Sequence, residues 1–345
     1  MKRLLFTCFV AFLLPCILRA EAAAVFLSQK EAAAAIVDDR GDPYFSRLQP
    51  LEIGVKCLVK DSGKGLEALQ GEARKTYASE VLEFTPAEQE MLSWAAKELQ
   101  VPLEATFPLV AHTPWRFLKV SGKLEGGLPH TRGACIVLAG PFLQNMLGYY
   151  TSEQKPFLRY FLCKLILHEQ MHVVQRLHPE VFAPLYTKVW GFRRSDQIEN
   201  HPWLVARNVV NPDGADTCWV YPVRTAGKVQ WIWPILILNG PGGSATRMPQ
   251  DFQLVAVNVE ETAKGFQAKT LPDGKPDFHP NAELPAYAGA FPTLDETYHP
   301  NEIAADMVAS YFAQQHLLPK GASIKSEPSL EKWATSIDWL KVNLR

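Results

Sequence analysis

In the stretch Phe157-Leu158-Arg159-Tyr160-Phe161-Leu162-Cys163-Lys164-Leu165-Ile166-Leu167-His168-Glu169-Gln170-Met171-His172-Val173-Val174, apolar side chains would surround a helix on nearly every side. Only Arg159 and Lys164 interrupt them before His168. A helix that is apolar all round belongs among other elements of a core. Two histidines and a glutamate in its middle are costly there unless partners satisfy them. His168 and His172 are four residues apart, so both imidazoles project from one face and can share a metal ion. Glu169 lies on the adjacent face, within reach of a water on that ion. The plain alternative is a pair of core histidines bonded to backbone carbonyls. The metal reading accounts for both rings lying on one face, and it is preferred.

A catalytic metal site takes three protein ligands and leaves one position to water. Two residues compete for the third place. His178 follows His172 by six residues, but Gln175 stands where a glycine would be needed to stop the helix and turn the chain. Val173 to Leu177 continue the helical pattern up to Pro179, which carries His178 too far along the axis. Glu302 lies in Tyr298-His299-Pro300-Asn301-Glu302-Ile303-Ala304-Ala305-Asp306, where Pro300 suits a first helical turn. That helix is expected to run to about His316. Ala304, Ala305 and Ala309 keep it slim enough to approach the first helix closely. Glu302 and Asp306 share a face, so one can ligate while the other accepts the outer N–H of a ligating histidine. Glu302 is the preferred ligand. The competing reading is a surface helix with two acidic residues near its start, favoured by its dipole.

Around these motifs the chain reads as mixed α and β. Leu51 to Val59 is expected as a strand. A helix capped by Thr85, Pro86 and Glu88 is expected to run to about Leu99 and stop at Pro102. The segment 23–125 forms an N-terminal α/β lobe or a propeptide, and 126–345 forms the catalytic domain. Arg132 to Ala139 reads as a strand closed by Gly140-Pro141, either an ordinary core strand or an edge that holds substrate by backbone hydrogen bonds. A helical run from Val181 to Trp190 follows the metal helix. Asn211-Pro212-Asp213-Gly214 is a turn. Strands at 218–223, 229–238 and 252–259 then form an antiparallel β insertion spanning about 205–262. Asp273 to Pro292 reads as a loop.

Residues 1–22 read as a signal peptide: Lys2 and Arg3, an apolar run from Leu4 to Leu18, and a cleavage site at Ala20-Glu21-Ala22. The expectation is an exported protein, periplasmic or extracellular, with no membrane span in the mature chain. Removing that segment takes away Lys2, Arg3, Arg19 and Glu21 and leaves 32 basic against 35 acidic side chains. Such a balance offers no electrostatic footprint for nucleic acid or an anionic membrane. Cys57, Cys135, Cys163 and Cys218 remain, enough for two disulfides in an oxidising compartment. Cys163, on the apolar helix, reads instead as a buried free thiol.

His168-Glu169-Gln170-Met171-His172 followed by Asn301-Glu302-Ile303-Ala304-Ala305-Asp306 resembles the gluzincins, and is thermolysin-like in the second motif. Tyr186, Gly191-Phe192, Asn211-Pro212-Asp213 and His299-Pro300 also resemble an uncharacterised group of bacterial gluzincin-like proteins. About 130 residues separate the two motifs here, far more than in thermolysin-like enzymes, so the β insertion is extra. The resemblance implies an α+β zincin-like fold and a zinc metallopeptidase acting on peptide or protein substrates. It implies zinc on His168, His172 and Glu302, Glu169 as general base, and Asp306 behind a histidine. His299 or Tyr298 would stabilise the oxyanion, unless they serve in capping or loop packing. Rival readings are a zincin-fold scaffold without turnover, which an intact Glu169 argues against, and a zinc hydrolase of a non-peptide amide such as cell-wall material.

Overall fold

The computed structural model describes residues 24–345 apart from 62, 64, 215–217, 226, 241–245, 293, 295 and 319–329. The expected signal peptide lies outside the described residues. The chain opens with β1 (Val25–Phe26) and α1 (Gln29–Ile36), then α2 (Pro50–Cys57), α3 (Leu66–Ser79) and β2 (Val81–Leu82). Next come α4 (Pro86–Thr106), α5 (Pro108–His112), β3 (Arg116–Val120), β4 (His130–Arg132) and β5 (Cys135–Ala139). These strands form one sheet in the order β1-β3-β5-β4, with β2 paired to β3. β1, β3 and β5 run parallel, while β2 and β4 are antiparallel to their neighbours.

Both faces of this sheet are covered, which is why its central strands are apolar without alternation. Leu118, Val120, Cys135, Val137 and Ala139 pack on residues of α1, α2 and α3. Phe117, Ile136 and Leu138 face the main core, which includes α4, α6 (Gly140–Tyr150) and α7 (Lys155–Leu177). Lys119 is the exception on that face, and Glu88 at the start of α4 holds its ammonium at 2.9 Å. Strands from both sides of residue 125 thus share one sheet.

α8 (Pro179–Pro184) follows α7, and a π-helical turn extends it from Leu185 to Val189. The second sheet contains β6 (Arg193–Arg194) and β7 (Ile198–Glu199), and α9 (Pro202–Val205) follows them in the chain. Its remaining strands are β8 (Trp219–Thr225), β9 (Lys228–Leu238), β10 (Phe252–Thr262), β11 (Gly265–Ala268) and β12 (Phe278–Pro280). The order is β6-β8-β9-β10-β11-β7, with β12 on β10. The inserted sheet therefore extends from Arg193 to Pro280, beyond the 205–262 read from sequence. It is antiparallel except where β7 runs alongside β11. α10 (Pro285–Ala290), α11 (Pro300–Phe312) and α12 (Ala334–Asn343) complete the chain. α11 lies against α7 in the main core, with Ile303, Ala304, Ala305, Val308 and Ala309 all buried.

Several local expectations change. Residues 50–57 form helix α2, because Pro50 starts a helical turn and Glu52 and Lys56, four apart, join in a buried ion pair at 3.0 Å. α4 passes through Pro102 to Thr106, since Leu99 and Leu103 continue its buried stripe for one more turn. Arg132 to Ala139 is not one strand: Gly133, at φ +55, turns the chain between β4 and β5. β5 lies inside the sheet and β4 forms its edge. Part of the expected loop at 273–292 is ordered as β12 and α10. None of the four cysteines forms a disulfide among the described residues, and Cys57, Cys135 and Cys163 are buried. No helix among the described residues is long and apolar enough to cross a membrane.

Candidate metal centre

α7 and α11 bring His168, His172 and Glu302 together, and one donor atom from each lies within 4.8 Å of the others. The two Nε2 atoms are 3.1 Å apart. Glu302 Oε2 is 3.4 Å from His168 Nε2 and 3.1 Å from His172 Nε2. Ligands about 2.0–2.1 Å from a tetrahedral zinc stand about 3.3–3.4 Å from one another. The separations fit that geometry, and this group can hold a metal ion.

The surrounding residues fix the donors. His172 Nδ1 lies 2.9 Å from Gln175 Oε1, an oxygen that can only accept, so Nδ1 carries a hydrogen and, in the neutral ring, Nε2 has the lone pair. Gln175 Nε2 donates in turn to the Asn301 carbonyl at 2.8 Å and ties α7 to the start of α11. On the other side, Asn211 Nδ2 donates to Glu302 Oε1 and, at 3.0 Å, to the Tyr298 hydroxyl. Asn211 is itself set by the turn expected at 211–214, where its Oδ1 accepts from the Asp213 N–H at 2.9 Å. Gly214 has φ +81, and a Cβ there would meet Arg176 Nε at 2.5 Å, so the turn requires glycine.

Charge in the centre is strongly coupled. Burial works against a proton on His168, but the hydrogen bond to Glu302 and the nearby Glu169 outweigh it and raise the pKa to about 10. His172 rises to about 9 for the same reason, with Glu302 the main favourable neighbour. Burial would raise Glu302, yet His172 and His168 hold it well below the usual carboxylate range. The pocket is thus built to keep positive charge between three donors, and a proton and a metal ion would compete for the same atoms. Burial, with Asp213 adding to it, pushes Glu169 up to about 8. Its Oε2 is buried and has no hydrogen-bond partner among the described residues.

These groups border a cavity of about 440 Å³. His168, Glu169 and Glu302 form one wall, Lys56 and Glu125 another, and Leu236, Phe252 and Leu254 of β9 and β10 an apolar third. A larger cleft of about 720 Å³ opens beside Leu51, Leu58 and Gln250, but none of His168, His172 and Glu302 lines it. Behind Lys56 lies a second polar cluster. Its ammonium sits 3.0 Å from Glu52, 3.3 Å from Glu125, 2.8 Å from the Tyr44 hydroxyl and 2.6 Å from the Val210 carbonyl. Tyr44 and Tyr77 both donate to Glu125. Glu52 accepts from the Val210 N–H at 2.6 Å, so the cluster grips the residue just before Asn211.

His178 ends α7 as its C-cap, 3.6 Å from Glu180, and does not join the centre. His299 turns away from the 440 Å³ cavity and caps α11, its Nδ1 accepting from the Asn301 N–H. Tyr298 is the residue of that pair on the cavity wall. Asp306 lies one turn beyond Glu302 and accepts from Ser310, while the outer nitrogen of His172 goes to Gln175. At the sheet edge, the Thr131 N–H and hydroxyl both donate to Asp213 Oδ1, at 2.6 and 2.8 Å, so that stretch of β4 is already paired. In the sequence, Asn211 and Asp213 show only as a turn and as part of a resemblance, and Gln175 only as a residue in a glycine's place, with nothing that gives their contacts here. Comparison with protein-family models, curated proteins and solved structures finds no match.

Proposed function

We propose that the chain is an exported zinc metallopeptidase with a zincin-like catalytic domain. The observation that carries this reading is the convergence of two imidazoles and a carboxylate at tetrahedral spacing beside an unpartnered, buried glutamate oxygen. His168, His172 and Glu302 would hold zinc. Bound zinc supplies Lewis acidity toward a carbonyl oxygen and lowers the pKa of its water to about 7. Glu169 takes the proton of the attacking water and delivers it to the leaving amine nitrogen. Its burial strengthens it as a base, which suits that transfer. Tyr298, rather than His299, offers the hydroxyl nearest a developing oxyanion. The apolar wall of β9 and β10 receives a substrate side chain and helps to exclude water.

Elemental analysis of the purified protein, beside a peptide-library cleavage screen, tests this. About one zinc per chain and cleavage of some peptides are expected. In parallel, Glu169→Gln should keep the zinc and lose about 10²–10⁴-fold in rate, the range of a general base. A Glu169→Gln protein as active as the original would defeat the mechanism.

A further inference from the structure

His130, at the start of β4, lines the cavity with only 2% of its surface exposed. Its Nδ1 lies 3.0 Å from the Leu128 carbonyl oxygen. A carbonyl only accepts, so the ring hydrogen is on Nδ1, and in the neutral ring Nε2 is a bare lone pair. That atom is buried and has no hydrogen-bond partner among the described residues. A buried acceptor left so is costly, and on this cavity Glu169 Oε2 is the comparable case among the described residues.

The groups around it say what would fill the gap. Glu125 is already held by Lys56, Tyr44 and Tyr77, and Asp213 by Thr131. Both are acceptors and cannot donate to Nε2. Burial holds the ring neutral against the pull of Glu125 and Asp213, so the lone pair persists at neutral pH. The missing partner is therefore an N–H or O–H donor. His130 shares the cavity with His168, Glu169 and Glu302, and Thr131, the next residue, binds Asp213.

We propose that His130 is a specificity-determining residue whose Nε2 accepts a hydrogen bond from one main-chain N–H of the bound peptide. It rests on the peptidase reading above. The substrate class it selects is peptides with a secondary amide at that position, against proline or an N-methylated residue. Recognition through a side-chain lone pair also suits this edge, where the Thr131 N–H is no longer free to pair with an added strand.

The test uses a peptide cleaved in the library screen and its analogues methylated at one backbone nitrogen at a time. Their affinities are measured by calorimetry on the Glu169→Gln protein, which binds without turnover, alone and with His130→Leu or His130→Gln added. With His130 present, methylation at one nitrogen should weaken binding roughly 5- to 100-fold, the loss expected when a buried acceptor is left unpaired. In His130→Leu that penalty should vanish at the same nitrogen. His130→Gln, which offers an amide oxygen, should keep most of it. Equal penalties with and without His130, or no sensitive nitrogen at all, would overturn the assignment while leaving the peptidase reading intact. A protein that binds none of the peptides would overturn the peptidase reading itself.

Discussion

The Lys56 cluster and the His168 centre border the same cavity and bury similar numbers of ionisable groups, yet their polar atoms are satisfied differently. Around Lys56 the protein supplies both signs of charge. Glu52 and Glu125 face one ammonium, and two tyrosine hydroxyls and the backbone of Val210 join them, with Glu52 Oε2 left over. Around His168 two imidazole nitrogens and a carboxylate oxygen converge within 4.8 Å of one another, with only one sign of fixed charge among them. A cluster that carries its own counter-charge holds structure. One that converges on a point can hold an ion.

The strongest challenge to that contrast is Glu302→Ala. It should release zinc under mild chelation, read with a chromophoric chelator, while circular dichroism shows a folded protein. Unfolding on that substitution would mean the centre is structural after all. Lys56→Met should do the reverse. It strands two buried carboxylates and should cost about 3–5 kcal/mol in denaturant unfolding. A change below about 1 kcal/mol would show that the cluster does not hold the fold. Asn211→Ala lies between the two, since Asn211 follows the residue gripped by the cluster and bonds to Glu302. Zinc affinity should fall about 10–100-fold with little loss of stability, as for an outer partner of a ligand. Unchanged affinity would separate the two clusters completely. His178→Ala should alter neither zinc binding nor stability by a measurable amount, and loss of zinc there would overturn the ligand set.

What the sequence disclosed follows from range. α7, its two histidines and the place of Glu302 depend on spacing within single helices, and the helical period shows them directly. Residues 51–59 read as a strand because Leu51, Ile53 and Val55 alternate as a strand would, whereas the Glu52–Lys56 pair that favours a helix is meaningful only once buried. Pro102 reads as a stop because the packing that carries α4 past it comes from other elements. The outer shell of the centre was hidden for the same reason. Gln175 entered the reading only as a residue that cannot replace glycine, yet its amide orients His172 and reaches across to Asn301. Asn211 was legible as a turn residue, but no local pattern says that a turn will touch a carboxylate 91 residues later.

One more consequence follows from β1 lying beside β3 and from Glu52 and Lys56 both holding Val210. A protease that cut the backbone between Val59 and Gly65 would free no fragment. The severed piece would stay seated by strand pairing and by its grip on the segment leading to Asn211. The product would be a nicked, two-chain molecule that migrates as one species until denatured, with His168, His172 and Glu302 still braced.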